Sequence, residues 1–335
     1  MFYDLFKPSS DLGYHVVFVM GKGGVGKTTI SSALAYRLAL KGYRVLIVSL
    51  DPAHNLGDVL DTELVDEPRR IVENLWASEV DFDAMVNRYL RELSEKMKYF
   101  YKYLTVLNLD KYIDVLRESP GIEEYATLEK ILDILKDNSR SRRYDIIVFD
   151  TPPTGLTVRI MALPTITLLW INRLMQLRLA ILDRRRIIAR ITGEPVKVRI
   201  GSETITLPYD PHDDPVFREL ESYRNDIEWV NNIFTSKDYS SIVMVVNPEM
   251  LPVFEAEKAL KTLRKYGIEM KALVVNKVLP PESIGKGYEE RLKLQEEVLK
   301  LVSEKFTGIT IRKVPLLPSE PRGLKALEKV ASLLE

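Results

Sequence analysis

The sequence predicts an α/β fold in which helices cover both faces of a doubly wound, mostly parallel β-sheet. Seven short apolar runs rich in β-branched residues recur along the chain, and most are uninterrupted, as expected for strands buried on both faces. Helical patterns separate the runs, and this alternation builds parallel sheets. The runs are 15–20, 44–50, 75–80, 145–149, 241–246, 271–275 and 310–314.

Several of these predicted strands end in a polar or conformationally special residue. In open α/β sheets, ligands bind in the crevice at the carboxyl ends of the strands. We therefore expect the functional site along this edge of the sheet. The strand-end residues are Gly21, Asp51, Asp150, Asn247, Asn276 and Pro315.

Composition excludes several classes of protein. Lys plus Arg equals Asp plus Glu at 48 each, so the chain is not a nucleic-acid-binding polycation. The absence of cysteine excludes disulfides, thiolate metal sites and a thiol nucleophile. Residues 1–14 lack the apolar segment of a signal peptide, and the apolar run 160–172 is too short to span a bilayer. We expect a soluble, cytoplasmic protein that does not bind nucleic acid.

A glycine-rich segment between the first strand and the helical run 28–40 satisfies the phosphate-binding pattern G-x-x-x-x-G-K-[ST]. Glycines let the backbone wrap closely around an anion, so that amide N–H groups and the helix N-terminus face the phosphates. Lys27 is expected to neutralise the β- and γ-phosphates, and the Thr28 hydroxyl to ligate Mg²⁺. The sequence therefore predicts an ATP site with Mg²⁺. Its predicted loop contacts are Gly21, Gly23, Gly24, Val25, Gly26, Lys27, Thr28 and Thr29.

Two aspartates at strand ends complete a predicted catalytic site with this loop. Asp51 is followed by Pro52, which stiffens the turn, and a carboxylate here can position the water that attacks the γ-phosphate. Asp150 can hold the Mg²⁺ hydration shell together with Thr28. Each aspartate alone is also compatible with a helix N-cap, but the pair beside a phosphate loop favours catalysis.

Lys22 is an additional lysine directly after the first glycine of the loop. The pattern resembles the deviant Walker motif of the dimeric P-loop ATPases that include MinD, ParA and the arsenite pump. In that group the lysine reaches the nucleotide of the partner subunit, which would make Lys22 catalytic together with Asp51 and Lys27. The alternative, a solvated surface lysine, fits the spacing equally well, and the other motifs favour the catalytic role.

Further segments resemble the ATPases that comprise the arsenite-pump subunit and the guided-entry factor for tail-anchored membrane proteins. Residues 51–56 are similar to their switch I and residues 150–155 to their switch II, which implies nucleotide contacts from Asn55 and Pro153. The segment 247–257 resembles the one that contacts the partner subunit's nucleotide, through Glu249 and Glu255. The resemblance also implies an adenine site formed by Asn276, Pro315, Leu316 and Leu317, within a loop that continues through Pro318 to Arg322 and Gly323.

The resemblance implies a homodimer that closes around two ATP molecules and holds the transmembrane helix of a client protein, with a membrane receptor as a further possible partner. Many guided-entry ATPases carry a Cys-x-x-Cys pair that binds zinc, and this chain has no cysteine, so no structural zinc is expected. Two alternatives remain. One is the energising subunit of an anion or metalloid exporter, although a chain without thiols cannot bind a metalloid through them. The other is a spatial organiser similar to MinD or ParA. Besides these two ATPases, a passive holdase in which ATP only sets the conformation is a non-enzymatic interpretation.

Two long insertions interrupt the alternation of strands and helices. The first carries a helical stripe, with apolar residues at Val86, Leu90, Leu93, Met97, Phe100, Leu104 and Leu107. In the second, residues 166–182 are apolar around most of a helix, and 196–207 alternates like a β-hairpin around Gly201-Ser202.

We therefore predict an ATPase core at 1–83, 139–159 and 236–335. The remaining residues, 84–138 and 160–235, form a helical client-binding subdomain with a β-hairpin at 196–207. The inserted helices either bury one another as a bundle or line a groove for an apolar guest, and the residues alone favour the bundle.

Overall fold

A computed structural model describes residues 2–53, 55–100, 117, 119–200, 203–280 and 288–335. The strands are β1 His15–Gly21, β2 Val45–Ser49, β3 Arg69–Val72, β4 Leu75–Glu79, β5 Ile146–Asp150, β6 Lys197–Ile200, β7 Glu203–Thr206, β8 Ser240–Val246, β9 Met270–Val278 and β10 Thr310–Pro315. The α-helices are α1 Lys27–Leu40, α2 Leu56–Leu60, α3 Phe82–Phe100, α4 Ile122–Ser141, α5 Thr154–Thr192, α6 Pro215–Thr235, α7 Met250–Lys265, α8 Glu289–Lys305 and α9 Gly323–Leu333. A 3₁₀ helix, Phe2–Phe6, precedes β1.

Among the described residues, eight strands form one sheet in the order β10-β9-β8-β1-β5-β2-β4-β3. All neighbours pair in parallel except β3, which adds to β4 in antiparallel orientation. Each of the seven predicted strands is present, so the predicted doubly wound, mostly parallel α/β fold is confirmed. The edge strand β3 is an addition that the sequence patterns did not predict.

The central strands are apolar because the interior of the sheet is dry. Every residue of β1, β2, β5 and β8 is buried. On one face, alternate strand residues such as Val17 and Val148 join one buried cluster with Leu34 of α1 and Leu327 of α9. On the other face, Phe18 packs against Phe149 and Phe234, with ring centroids 5.2 Å apart in each case. Rigid packing of this kind fixes the positions of the strand ends.

The chain divides into two compact units. The first, here called the sheet unit, comprises Met1–Asp83, Asp133–Met161 and Ile233–Glu335. The second, the helical unit, comprises Ala84–Leu132 and Ala162–Asn232.

Polar contacts organise the helical unit locally. Asp214 caps α6 by accepting a hydrogen bond from the Phe217 backbone N–H at 2.8 Å, and its carboxylate receives two hydrogen bonds from Arg178, at 2.6 and 2.9 Å. Strands β6 and β7 pair in antiparallel register, with Val198 opposite Ile205. The predicted turn residues Gly201 and Ser202 lie outside the described residues, as do Leu104 and Leu107 of the predicted helical stripe.

Helix α5 is the longest described element, with 39 residues that include Pro164. Among the described residues it is also the one helix long and apolar enough to cross a membrane, with a mean hydropathy of 1.5 over its most apolar window. Only 39% of that window is buried. Core helices of soluble proteins can pass the same test of length and composition, so this property alone does not define a membrane span.

Candidate nucleotide-binding site

The phosphate loop runs from the end of β1 to the start of α1. Gly24 and Gly26 have φ angles of 80° and 91°, which glycine adopts without steric cost. At Gly26 a Cβ atom would lie 2.4 Å from Asn276 Nδ2, so any other residue would displace the Asn276 side chain and strain the left-handed backbone. Left-handed residues within a tight loop produce a concave set of backbone N–H groups that suits an anion. Helix α1 starts at Lys27 and adds its own N-terminal N–H groups.

Lys27 and Asp51 form an ion pair at the base of this loop. Lys27 Nζ lies 3.4 Å from Asp51 Oδ2, and the two side chains are only 5% and 12% exposed. The other carboxylate oxygen of Asp51 accepts a hydrogen bond from the Ala53 N–H at 3.1 Å. A buried ammonium that is held by one carboxylate can turn to a phosphate with little reorganisation. The pair therefore places an ammonium group and a carboxylate side by side at the base of the loop.

Asp150 is fully buried at the end of β5, between β1 and β2. The Thr28 hydroxyl donates to its Oδ2 at 2.7 Å, whereas its Oδ1 accepts no hydrogen bond from the described residues. Burial raises the pKa of Asp150 to about 7, although the Thr28 hydrogen bond and the charge of Lys27 counteract part of this effect. A buried carboxylate oxygen without a partner beside a hydroxyl is the kind of oxygen donor set that Mg²⁺ prefers. These residues fit a magnesium ion.

An open cleft of about 710 Å³ extends from this loop between α1 and the segment after β10. Asn276 reaches the loop from β9, where its Nδ2 donates to the Val25 carbonyl at 2.8 Å. The cleft is large enough for a nucleotide. The predicted site residues that line it are Gly23, Gly24, Gly26, Lys27, Thr28, Thr29, Asp51, Asn55, Pro153, Asn276, Pro315, Leu316 and Leu317.

Other predicted site residues do not line this cleft. Gly21 and Val25 are buried within or beside the loop, and Asp150 is buried beneath Thr28. Lys22 instead extends to α7, where its Nζ lies 3.3 Å from Glu255 Oε1 and both side chains are nearly half exposed. Glu249 is the residue that precedes α7.

The cleft also contains residues that the sequence patterns did not assign to it. Two of them follow Asn55 on α2, where one helical turn brings Asp58 and Val59 to the same side. The segment after Leu317 continues along the cleft, and its closeness to Pro315 in the sequence was the signal that could have assigned these residues to the site. These additional lining residues are Ala53, Asp58, Val59, Lys277, Val314, Ser319, Glu320, Pro321 and Val330. Pro318 and Arg322, which belong to the segment that resembles the adenine-binding loop, also line the cleft.

The described residues contain no group of three or more His, Asp or Glu side chains arranged to hold a metal ion. Asp214, one of the acidic residues around His212, caps α6 as described above, and Asp210 accepts a hydrogen bond from the His212 N–H at 2.9 Å. The oxygen pair at Thr28 and Asp150 is an arrangement that fits a divalent cation.

A parallel sheet with a glycine loop that leads into a helix, together with aspartates at adjacent strand ends, defines the class of P-loop nucleotide-binding proteins. The profile of the family described as anion-transporting ATPase (ArsA ATPase) matches residues 14–335. The chain belongs to this family, as its sequence motifs predicted. It is accordingly a nucleotide-binding ATPase.

Individual relatives carry different names within this family. A putative arsenical pump-driving ATPase 1 from Aquifex aeolicus is 32% identical over 330 residues, which cover 95% of this chain and 78% of the relative. The ATPase ASNA1 homolog 1 of Paramecium tetraurelia is 31% identical, with 95% and 91% covered. The ATPase get3 of Schizosaccharomyces japonicus is 32% identical, again with 95% and 91% covered. The similarity extends over nearly the whole chain in each case.

Proposed function

We propose that this ATPase is a Mg²⁺-dependent, cytoplasmic homodimer that binds the transmembrane helix of tail-anchored membrane proteins and delivers it to a membrane receptor. The observation that carries the proposal is the surface of α5 in the helical unit. Nine large apolar side chains of this fully described helix are exposed. They are Leu169, Trp170, Leu174, Leu177, Leu179, Ile181, Ile187, Ile188 and Ile191.

The dimensions of this apolar surface fit such a client. The exposed positions run from Leu169 to Ile191, which corresponds to about 33 Å along a helix axis. The hydrocarbon core of a bilayer is about 30 Å thick, so a transmembrane helix presents an apolar length of the same size. Exposed apolar surface of this extent marks a binding site for another protein or a membrane. The surface supports the groove interpretation of the inserted helices rather than a bundle that buries itself completely.

The chemistry of hydrolysis follows from the residues around the phosphate loop. Lys27 turns from Asp51 to the β- and γ-phosphates, and the loop N–H groups hold the remaining phosphate oxygens. Asp51 then accepts a hydrogen bond from the attacking water and aligns it with the γ-phosphate. Thr28 and Asp150 would hold Mg²⁺, which neutralises charge on the phosphate oxygens when it is bound.

Dimer formation gives Lys22 a different partner. Its present ion pair with Glu255 is half exposed, and exposed pairs of this kind contribute little to stability. Lys22 can therefore leave Glu255 at little cost and reach a nucleotide held by the second subunit. Glu249 and Glu255 are both exposed, before and on α7, and contact that subunit in the proposed arrangement. ATP-dependent closure then changes the affinity for the client because the two states expose different surfaces.

Site-specific photocrosslinking tests the client. A photoreactive residue replaces Leu174 or Leu177 in one set of variants and Leu294, an exposed apolar residue of α8, in the control. Each variant is synthesised together with a labelled tail-anchored transmembrane segment, or with a version of that segment carrying three charged residues. We expect crosslinks from the α5 positions to the intact segment alone. Equal labelling from Leu294, or no retention of the segment in either nucleotide state, would contradict the proposal.

The name of the Aquifex relative favours a second candidate, an ATPase that drives an arsenical pump. The sequence contains no cysteine, so arsenite cannot bind through thiols here. Turnover measured with and without arsenite or antimonite separates the candidates. A reproducible stimulation by either metalloid, without any effect of a transmembrane segment, would favour the exporter.

A further inference from the structure

Strand β9 contains a bulge directly beside the phosphate loop. Its parallel pairing with β10 is regular up to Val275 opposite Lys313, but the next pair joins Val278 to Pro315. Strand β9 thus carries one additional residue over this interval. Lys277 lies within it and has a left-handed backbone, with φ of 60°. Residues other than glycine rarely adopt this conformation, and those that retain it cluster at functional sites.

The bulge directs two consecutive side chains to the same loop. In a regular strand, neighbouring side chains point to opposite faces of the sheet. Here Asn276 Nδ2 donates to the Val25 carbonyl and Lys277 Nζ donates to the Gly24 carbonyl, each at 2.8 Å. Bulges beside active sites commonly redirect a side chain in this way.

The chain is also fixed immediately after the bulge. The side-chain amide of Gln295, a buried residue of α8, accepts a hydrogen bond from the Leu279 N–H at 2.7 Å. The same amide donates to the Leu279 carbonyl at 3.0 Å. The backbone that carries Lys277 is therefore held on both sides, by the sheet before it and by Gln295 after it.

Holding a carbonyl group fixes the direction of the next N–H group. The two groups belong to one planar trans peptide and point in opposite directions. Donors on the carbonyls of Gly24 and Val25 therefore turn the N–H groups of Val25 and Gly26 away from β9. Among the described residues, the Val25 N–H makes a long contact of 3.5 Å with the Lys22 carbonyl, so it can turn readily to an anion.

We propose that Lys277 is a positioning residue of the phosphate loop, which holds the Gly24 carbonyl so that the loop N–H groups meet the triphosphate. This role rests on the proposed placement of the nucleotide in the cleft, which Lys277 also lines. Lys277 acts through the loop backbone and not through the base. Removal of the Lys277 ammonium group should therefore lower the affinity for every ligand that carries the triphosphate by the same factor.

Calorimetric titration with inorganic tripolyphosphate and with a non-hydrolysable ATP analogue tests this role. The Lys277→Met substitution keeps the aliphatic length and removes the donor. Because the lost hydrogen bond has a charged donor, we expect both ligands to bind about tenfold more weakly. Lys277→Arg, which retains a charged donor, restores most of the affinity. Lys293→Met, at an exposed lysine of α8 outside the cleft lining, is the matched control and leaves both affinities unchanged.

A second variant separates binding from folding. Lys277→Gly also removes the donor, but glycine adopts the left-handed backbone without strain. We expect it to unfold within about 4 °C of the wild type and yet to lose the same affinity as Lys277→Met. Wild-type affinity in both variants would overturn the proposal. Weaker binding of the ATP analogue with unchanged tripolyphosphate binding would overturn it as well, because the contact would then be with the nucleoside.

Lys27→Met distinguishes a failure of this proposal from a failure of the site. If Lys27→Met leaves both affinities unchanged, the triphosphate does not bind in this cleft and the proposed site is wrong. If Lys27→Met abolishes binding while Lys277→Met behaves like the wild type, only the positioning role of Lys277 is wrong.

Discussion

The sheet unit and the helical unit both contain long apolar segments, but these segments are buried in the first and largely exposed in the second. In the sheet unit, β1, β2, β5 and β8 are apolar and fully buried. In the helical unit, α5 is also apolar around most of its circumference, but Ile191 is 79% exposed and Leu169 is 70% exposed. The comparison teaches that apolar residues are buried and stabilise the fold in one unit, whereas in the other they lie exposed, where the proposed function uses them to bind a client. Substitutions in the sheet unit should therefore lower the free energy of unfolding, whereas substitutions in the helical unit should lower the retention of a client.

The largest expected effect on stability comes from the interior of the sheet unit. Phe18 is fully buried and packs on both Phe149 and Phe234. Phe18→Ala removes a large side chain from a close-packed site, and we expect it to lower the free energy of unfolding by about 3–5 kcal/mol. Urea denaturation followed by circular dichroism measures the change. A loss below about 1 kcal/mol would show that this region repacks and is not rigid.

The next largest effect is a loss of catalytic rate, without a loss of stability, when Asp51 is substituted. Asp51→Asn removes the charge that positions the attacking water, and we expect kcat to fall at least about a hundredfold while nucleotide affinity changes by a few-fold. Asp61→Asn makes the same chemical change at the end of α2, where asparagine tolerates the left-handed backbone. Phosphate release assays on both variants provide the test. Equal rates of phosphate release by the two variants would show that Asp51 does not position the attacking water.

A third effect depends on pH and tests the sheet unit again. His15 is buried, and its Nε2 lies 2.7 Å from Ser241 Oγ. Burial, together with the nearby charge of Lys271, lowers the pKa of His15 from 6.5 to about 4. The charged form is therefore favoured in the unfolded chain, so the stability contribution is complete above pH 6.5 and is lost as the pH falls towards 4. Between pH 7 and 5 we expect a loss of about 2 kcal/mol.

Urea denaturation at pH 7, 6 and 5 measures this dependence. In His15→Asn the corresponding part of the pH dependence should disappear, because asparagine does not titrate in this range. If the wild type and the variant lose stability in parallel, other groups cause the effect and His15 does not contribute.

The smallest expected effect on stability belongs to the helical unit. Leu169→Ser and Trp170→Ser change side chains that are 70% and 65% exposed, so we expect the free energy of unfolding to change by less than about 0.5 kcal/mol. Retention of a transmembrane segment in the crosslinking assay should nevertheless fall severalfold. Substantial destabilisation with unchanged retention would show that these side chains stabilise the fold rather than bind a client.

The sequence predicted the sheet well because its signals are local. Each long parallel strand is a continuous apolar run, and the glycine spacing between Gly21 and Gly26 specifies a loop without reference to the rest of the chain. Strand β3 was not predicted because it has four residues, begins with Arg69 and Arg70, and forms only by adding to β4 at the sheet edge. Pairing of this kind depends on partners that local periodicity does not reveal.

The candidate site shows the same division between local and non-local signals. Lys27, Thr28 and Asn276, which the motifs single out, line one cleft. Lys22 pairs with Glu255 instead, and its predicted role requires a second chain. Lys277 was missed because its direction depends on a bulge created by the register between β9 and β10, which a single sequence does not encode in any recognisable motif.

The two hydrogen bonds between the Gln295 side chain and the Leu279 backbone have a consequence for the register of β9. The Gln295 amide pairs with Leu279 as the backbone of a neighbouring strand would, through one donor and one acceptor. The following residue is Pro280, which has no N–H to offer. A shift of β9 by one position would thus leave the carbonyl oxygen of Gln295 without a donor, which disfavours movement of the bulge and keeps Lys277 directed at the phosphate loop.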